Sequence, residues 1–248
     1  MRPATPGARA GIPVTGVALA GRAALELEQS AGIRSSTLTS LLDRLDRDAT
    51  GALPTGSVLV VDEAGMVGTR QLARLLHHAS ERQVKVVLVG DPHQLPEIDA
   101  GGLFRALATR LPAIELSDNR RQQHAWEQTA LDQLRHGDPS VALDTYRAHG
   151  RIITAEDPEA LREQLVHDWW TTARTDPAGS IMIGLRRSDV DDLNHRARAR
   201  MHTDRRLTGP TLTTAGGGIE LQAGDRIVCL RNSQRHGVVN GTRATISS

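Results

Sequence analysis

Aromatic residues are nearly missing from this chain: one Phe, one Tyr and three Trp in 248 positions. Its core must therefore come from Leu, Val, Ile and Ala, and platforms for stacking nucleobases are scarce. Cys229 is the only cysteine, which excludes an internal disulfide and a cysteine-based zinc site and fits a reducing cytoplasm. Lys85 is the only lysine, so almost all positive charge is arginine. Neither sign of charge dominates. Thirty basic and 29 acidic residues leave a net charge of +1, which excludes a globally basic nucleic-acid binder but permits a local basic groove. No apolar run approaches the ~20 residues that span a bilayer. The opening Met1-Arg2-Pro3-Ala4-Thr5-Pro6-Gly7 lacks the apolar centre of a signal peptide. The ten His residues show no ligand spacing, and adjacent His77 and His78 on a helix would not face each other.

What is present is an alternation of strands and helices. The β-branched run Pro13–Ala20 predicts a strand, with a helix from Gly21 to about Gln29. Leu38, Leu41, Leu42 and Leu45 predict a helix over Thr37–Arg47. Ser57–Val61 and Val84–Val89 are continuous apolar runs, suited to strands buried on both faces of a parallel sheet. The helical face of Leu72, Leu75, Leu76 and Ala79 lies between them and completes a β-α-β unit. A fourth strand is expected at Ala113–Leu116 and a helix from Gln123 to about Arg135. A second region is expected from about Asp176: a strand at Ser180–Gly184, a helix at Asp189–Met201, and short antiparallel strands at Ile227–Leu230 and Val238–Ile246. The expected division is thus 1–176 and 177–248.

Open parallel sheets bind ligands beyond the carboxyl ends of their strands. The two clearest strands deliver acids there, Asp62-Glu63 and Gly90-Asp91. An apolar strand running into Asp-Glu is the Walker B pattern. The Asp suits Mg²⁺ held through water, since Mg²⁺ keeps much of its hydration shell, and the Glu suits polarising a water. Taken alone, the dipeptide also fits any α/β sheet that ends a strand in acids. Asn119-Arg120-Arg121-Gln122 alone also reads as a solvated helix start. Asn240-Gly241 between β-branched runs reads locally as a hairpin turn.

Taken together, these segments resemble the RecD-like branch of superfamily 1 DNA helicases. Val61-Asp62-Glu63-Ala64-Gly65-Met66-Val67 resembles motif II, and Gly90-Asp91-Pro92-His93-Gln94-Leu95-Pro96-Glu97-Ile98 resembles motif III. Asn119–Gln122 resembles motif IV. Ala20-Gly21-Arg22-Ala23-Ala24 resembles motif Ia, and His236–Thr242 the Asn-Gly segment around motif V. The narrower resemblance, over Gly11–Arg151, Leu185–Asn194 and Gly224–Thr245, is to the helicase portion of actinobacterial conjugative relaxases. The nicking half of such proteins carries catalytic tyrosines and a three-histidine metal site. Tyr146 is the only tyrosine here and no such histidine cluster occurs, so that half is not expected in this chain.

The resemblance implies a RecA-like P-loop α/β fold lacking its first β-α unit, followed by part of a second RecA-like domain with a small β-rich insertion. It implies ATP and Mg²⁺ as cofactors, and single-stranded DNA and conjugative DNA-processing proteins as partners. Asp62 would hold Mg²⁺ through water, Glu63 would activate water, and Gln94 and Arg121 would meet the γ-phosphate. Gly90 and Asp91 would lie beside the nucleotide, and Gly21, Arg22, Pro96 and Asn240 beside DNA. One departure is plain: no Gly-x-x-x-x-Gly-Lys-[Ser/Thr] occurs in the 248 residues. The expectation is a chain that starts before motif Ia and stops after the motif V region. Two functional readings result, a fragment of an ATP-dependent helicase or a module that holds single-stranded DNA or a conjugation partner without hydrolysis. An unrelated α/β NTPase fits motif III and Asn119–Gln122 less well.

Overall fold

A computed structural model describes residues 11–47, 51–94, 101–116, 118–177, 179–214, 218 and 220–247. The chain divides into two compact units, Met1–Ser117 with Val228–Thr242, and Asp118–Ile227 with Arg243–Ser248.

The first unit is built on four parallel strands: β1 (Val14–Ala18), β2 (Arg34–Thr37), β3 (Val58–Val61) and β4 (Lys85–Leu88), in the order β2-β1-β3-β4. Val17 pairs with Val61, and Val61 with Leu88, so the carboxyl ends of the three strands are level. The connecting helices are α1 (Gly21–Ala31), α2 (Leu38–Asp46) and α3 (Thr69–Glu81), with α4 (Leu103–Arg110) following β4. Thr37 ends β2 and caps α2, its hydroxyl accepting from the Ser40 N–H at 3.2 Å. Gly32 closes α1 in the left-handed region, φ +69°, its N–H reaching Glu28 O. The core packs Val17, Leu59 and Val61 of the sheet against Leu38, Leu41 and Leu42 of α2 and Leu72 and Leu75 of α3, all at most 2% exposed. Each such buried aliphatic chain stabilises the unit by roughly 1.5–3 kcal/mol. Gly16 of β1 lets the neighbouring layer come close. A Cβ there would lie 2.4 Å from Ser35 Oγ and 2.8 Å from Leu27 Cδ2.

The second unit holds α5 (Ala125–His136), α6 (Pro139–Ala148), α7 (Pro158–Ala173) and α8 (Arg187–Thr203). Trp126 stacks on His149 at 3.9 Å and meets Tyr146 edge-on, joining α5 to α6. Arg196 of α8 binds Glu159 and Glu163 of α7, and Trp170 Nε1 donates to Asp204 Oδ2 at 2.8 Å. Strands β5 (Thr208–Thr213) and β6 (Glu220–Ala223) pair antiparallel. At the next corner Gly224 has φ +101°, and a Cβ there would sit 2.2 Å from Arg206 O. Strand β7 (Arg226–Val228) pairs with β8 (Arg243–Thr245).

The α/β parallel architecture is the expected one, consistent with a RecA-like P-loop fold. Two expected strands are absent from it. Ala113–Leu116 forms no strand, and Ile114 and Leu116 are 94% and 88% exposed. Ser180–Gly184 forms none either, and Ile181 and Ile183 are exposed. A β-branched run becomes a strand only when a neighbour takes its hydrogen bonds, and neither segment has one among the described residues. The structure adds β2, whose Arg-Ser-Ser-Thr sequence has no apolar alternation. Its pairing with β1 alone makes it a strand.

Candidate nucleotide and nucleic-acid site

Level strand ends bring five of the predicted residues to one edge. Continuing the ladder, Asp62 N donates to Val17 O at 2.9 Å and Val89 N to Val61 O at 2.8 Å. Gly21, Asp62, Glu63, Gly90 and Asp91 therefore lie beyond the carboxyl ends of β1, β3 and β4 on the same side of the sheet. Asp62 is half-buried, and its Oδ1 accepts from the Glu63 N–H at 3.1 Å. Glu63 is exposed and sits at φ +50°, a conformation that costs a non-glycine residue about 1 kcal/mol or more. A short 3₁₀ turn, Ala64–Met66, comes directly after it.

This turn is fastened to the end of β4 by main chain. Ala64 N donates to Val89 O at 2.8 Å. A Cβ on Gly90 would lie 3.1 Å from both Ala64 N and Gly65 N, and one on Gly65 would lie 3.1 Å from Asp91 O. The two glycines thus permit a backbone-to-backbone approach that couples the Asp62-Glu63 turn to the Gly90-Asp91 turn. Asp91 holds the turn on its C-terminal side in shape. Its Oδ1 accepts from His93 N at 2.9 Å, and its carbonyl accepts from Gln94 N at 3.3 Å. Gln94 is exposed and helps line a cavity of about 220 Å³ with Gly65, Asp91, Pro92, Phe104 and Arg105. Pro96 lies outside the described residues.

Arg121 belongs to the second unit, where Asn119 Oδ1 accepts from Arg121 N at 3.2 Å and Gln122 N at 3.3 Å. Gln128 of α5 donates to Asn119 O and Gln122 O, pinning that turn and leaving the Arg121 side chain exposed. Asn240 is exposed in the first unit, its N–H donating to Asn232 Oδ1 at 2.7 Å. Beside it, Arg22 Nη1 donates to Gly241 O at 2.9 Å. Two segments read separately in the sequence as DNA-facing are therefore in contact.

The donor set fits one half of a magnesium–nucleotide site. Asp62 retains Oδ2 for a water of a hydrated Mg²⁺. Among the described residues no group of three His, Cys, Asp or Glu side chains could hold a bare ion. The phosphate-holding half, a glycine loop with its lysine, has no counterpart in the sequence, so these residues by themselves do not fit an anchored triphosphate.

A family model described as AAA domain matches residues 3–157, which takes in the whole parallel sheet and both acidic strand ends. The chain belongs to the AAA domain family. Within that family setting, it is 39% identical over 239 residues to the probable conjugal transfer protein TraA of Sinorhizobium fredii, covering 96% of this chain and 21% of that protein. It is 33% identical over 154 residues to the RecBCD enzyme subunit RecD of Mycolicibacterium smegmatis, covering 57% of this chain and 27% of that protein. It is 35% identical over 123 residues to the ATP-dependent RecD2 DNA helicase of Deinococcus radiodurans, covering 45% of this chain and 16% of that protein. The AAA-family chain thus spans about a fifth of the TraA protein. Among its described residues no helix is long and apolar enough to cross a membrane.

Sequence reasoning gave no site role to Gly65, quoted only within its motif II segment, or to Phe104 and Arg105. Gly65 had a signal, a glycine directly after Asp-Glu-Ala, where an acidic strand end must turn sharply. Phe104 and Arg105 had none, because their place beside Asp91 depends on how α4 returns.

Proposed function

We propose that this chain is part of the motor of a RecD-like superfamily 1 DNA helicase, acting on single-stranded DNA in conjugative transfer or related DNA processing in the cytoplasm. The observation that supports it best is the main-chain coupling of the Asp62-Glu63 turn to the Gly90–Gln94 turn at one sheet edge. In a motor, residues that hold Mg²⁺ and activate water must move with those that sense the γ-phosphate, and this contact ties them. Asp62 is assigned to Mg²⁺ through water, Glu63 to the attacking water, and Gln94 and Arg121 to the γ-phosphate. Gly90 and Asp91 are assigned to the nucleotide side, and Gly21, Arg22, Pro96 and Asn240 to the DNA side, Arg22 through the Gly241 segment it holds. The proposed division places a first RecA-like domain in 1–176 and part of a second in 177–248. Conjugative DNA-processing proteins are the proposed partners, in line with the name of the TraA relative.

A second reading is favoured by a specific observation. With no glycine-lysine phosphate loop in its sequence, the chain alone acts as a single-stranded-DNA-holding module without hydrolysis. Both readings require binding to single strands. Fluorescence anisotropy with labelled single-stranded and duplex DNA, at low and moderate salt, tests them. The expected result is weak binding, stronger for the single strand and steeply reduced by salt. Equal affinity for the two forms contradicts the proposal.

A further inference from the structure

The end of the chain is charged in one sign. From Arg226 to Ser248 there are four arginines, Arg226, Arg231, Arg235 and Arg243, and no Asp or Glu, in a chain whose total is only +1. The middle of this stretch belongs to the first unit as a self-locked hairpin. Cys229 N donates to Thr242 O at 2.8 Å, Gly241 N to Cys229 O at 2.7 Å, and Ser233 N to Val238 O at 2.8 Å. Arg22 clamps this hairpin to the first turn of α1 through Gly241 O at 2.9 Å. A Cβ on Gly21 would touch Val239 at 3.6 Å, so the hairpin lies flush on that turn.

Arg231 and Arg235 are both exposed on the hairpin, and neither is in an ion pair among the described residues. Some arginines of the second unit are tied down instead. Arg162, Arg196 and Arg198 are each held by carboxylates. Unpaired arginines on a rigid, acid-free turn suit a phosphodiester backbone. Both stand in open solvent, where a lone small anion would gain little, whereas a polymer supplies successive phosphates. Arg22 meanwhile directs its guanidinium to a carbonyl, which is a scaffolding use.

We propose that the hairpin Cys229–Thr242 grips the phosphate backbone of a single-stranded nucleic acid, with Arg231 and Arg235 as contacts and Arg22 as the residue that positions it. This rests on the reading of the chain as a handler of single-stranded DNA. The test titrates the full chain with labelled oligothymidylate across a salt series. Each lost phosphate contact makes the log affinity–log salt slope shallower by about 0.7, so R231Q/R235Q should flatten it by about 1.4 and weaken binding roughly 25-fold at 0.1 M salt. R147Q, on α6 and paired with Asp144, should leave both unchanged. R22M should weaken binding alone yet add nothing in the R231Q/R235Q background. Full additivity would make Arg22 an independent contact and overturn its positioning role. Wild-type affinity and slope in R231Q/R235Q would overturn the hairpin site while leaving the single-strand reading intact. No binding by the wild-type chain at low salt would overturn that reading and the hairpin site with it. Inorganic phosphate at matched ionic strength should not compete, and specific competition would assign the arginines to a small anion instead.

Discussion

Gly90→Ala tests the coupling of the two acidic turns. The added methyl would sit 3.1 Å from Ala64 N and Gly65 N and 3.3 Å from Phe104 Cζ. Two of these neighbours are main chain, and Ala64 N is held by its 2.8 Å bond to Val89 O. The turn can give way only by loosening that bond or by shifting α4, so the methyl acts as overpacking, which costs about 1–3 kcal/mol. With a urea m-value of about 2 kcal/mol/M, the unfolding midpoint should fall by roughly 0.5–1.5 M at constant m. Backbone conformation adds nothing to this figure, since Gly90 is not among the glycines with positive φ. Equilibrium unfolding followed by circular dichroism reads the shift. An unchanged midpoint would refute the claim that the two turns meet backbone to backbone.

The other predictions concern separate parts of the chain. Gly224→Ala should be severely destabilising, by about 3 kcal/mol or more, because φ +101° strains any side chain and its Cβ would fall 2.2 Å from Arg206 O; normal soluble yield and unfolding midpoint would count against it. Glu63→Gly should raise thermal stability slightly, by about 0.5–1 kcal/mol, because glycine adopts φ +50° freely; a lower melting temperature would contradict the strain argument. His78, hydrogen-bonded to Asp46, holds that carboxyl below its ordinary value, with Arg74 adding to the effect. A folded pKa below the unfolded one means stabilisation that is complete above the ordinary Asp range and lost as pH falls through the lowered value. Wild type should therefore lose its advantage over Asp46→Asn only below about pH 4, as read by acid unfolding curves, and a constant gap down to the lowest pH would refute it.

How much of this was legible in the sequence depended on locality. Val58–Val61 and Val84–Val89 announced parallel strands, and their terminal acids fell where parallel strands end. The expected burial on both faces fails for the second run, because β4 has only β3 beside it among the described residues and Val87 and Val89 are exposed. The leucines of α2 announced their buried face by their helical spacing. Arg34–Thr37 was silent, since its strand character comes from β1. Ala113–Leu116 misled, because apolar composition says nothing about whether a partner strand is present. The contact of Arg22 with Gly241 joins positions 219 apart, and no local pattern encodes it. Asn119–Gln122 read locally as a solvated helix start, whereas it is a turn held by Asn119 ahead of α5, and the task of the Arg121 side chain depends on long-range geometry.

We propose that Asp62 and Glu63 are the magnesium-holding and water-activating carboxylates of a nucleotide-driven motor, in a sequence of 248 residues with no glycine-lysine loop to anchor the phosphates. That loop would supply backbone N–H groups, a lysine and a hydroxyl, and losing ~5 kcal/mol of transition-state stabilisation slows a reaction more than a thousandfold. Steady-state phosphate release from ATP and Mg²⁺, with single-stranded DNA present, tests this most directly, comparing the chain with its Glu63→Gln variant. Negligible release from both is expected. Robust release by the wild-type chain, abolished by Glu63→Gln, would contradict it.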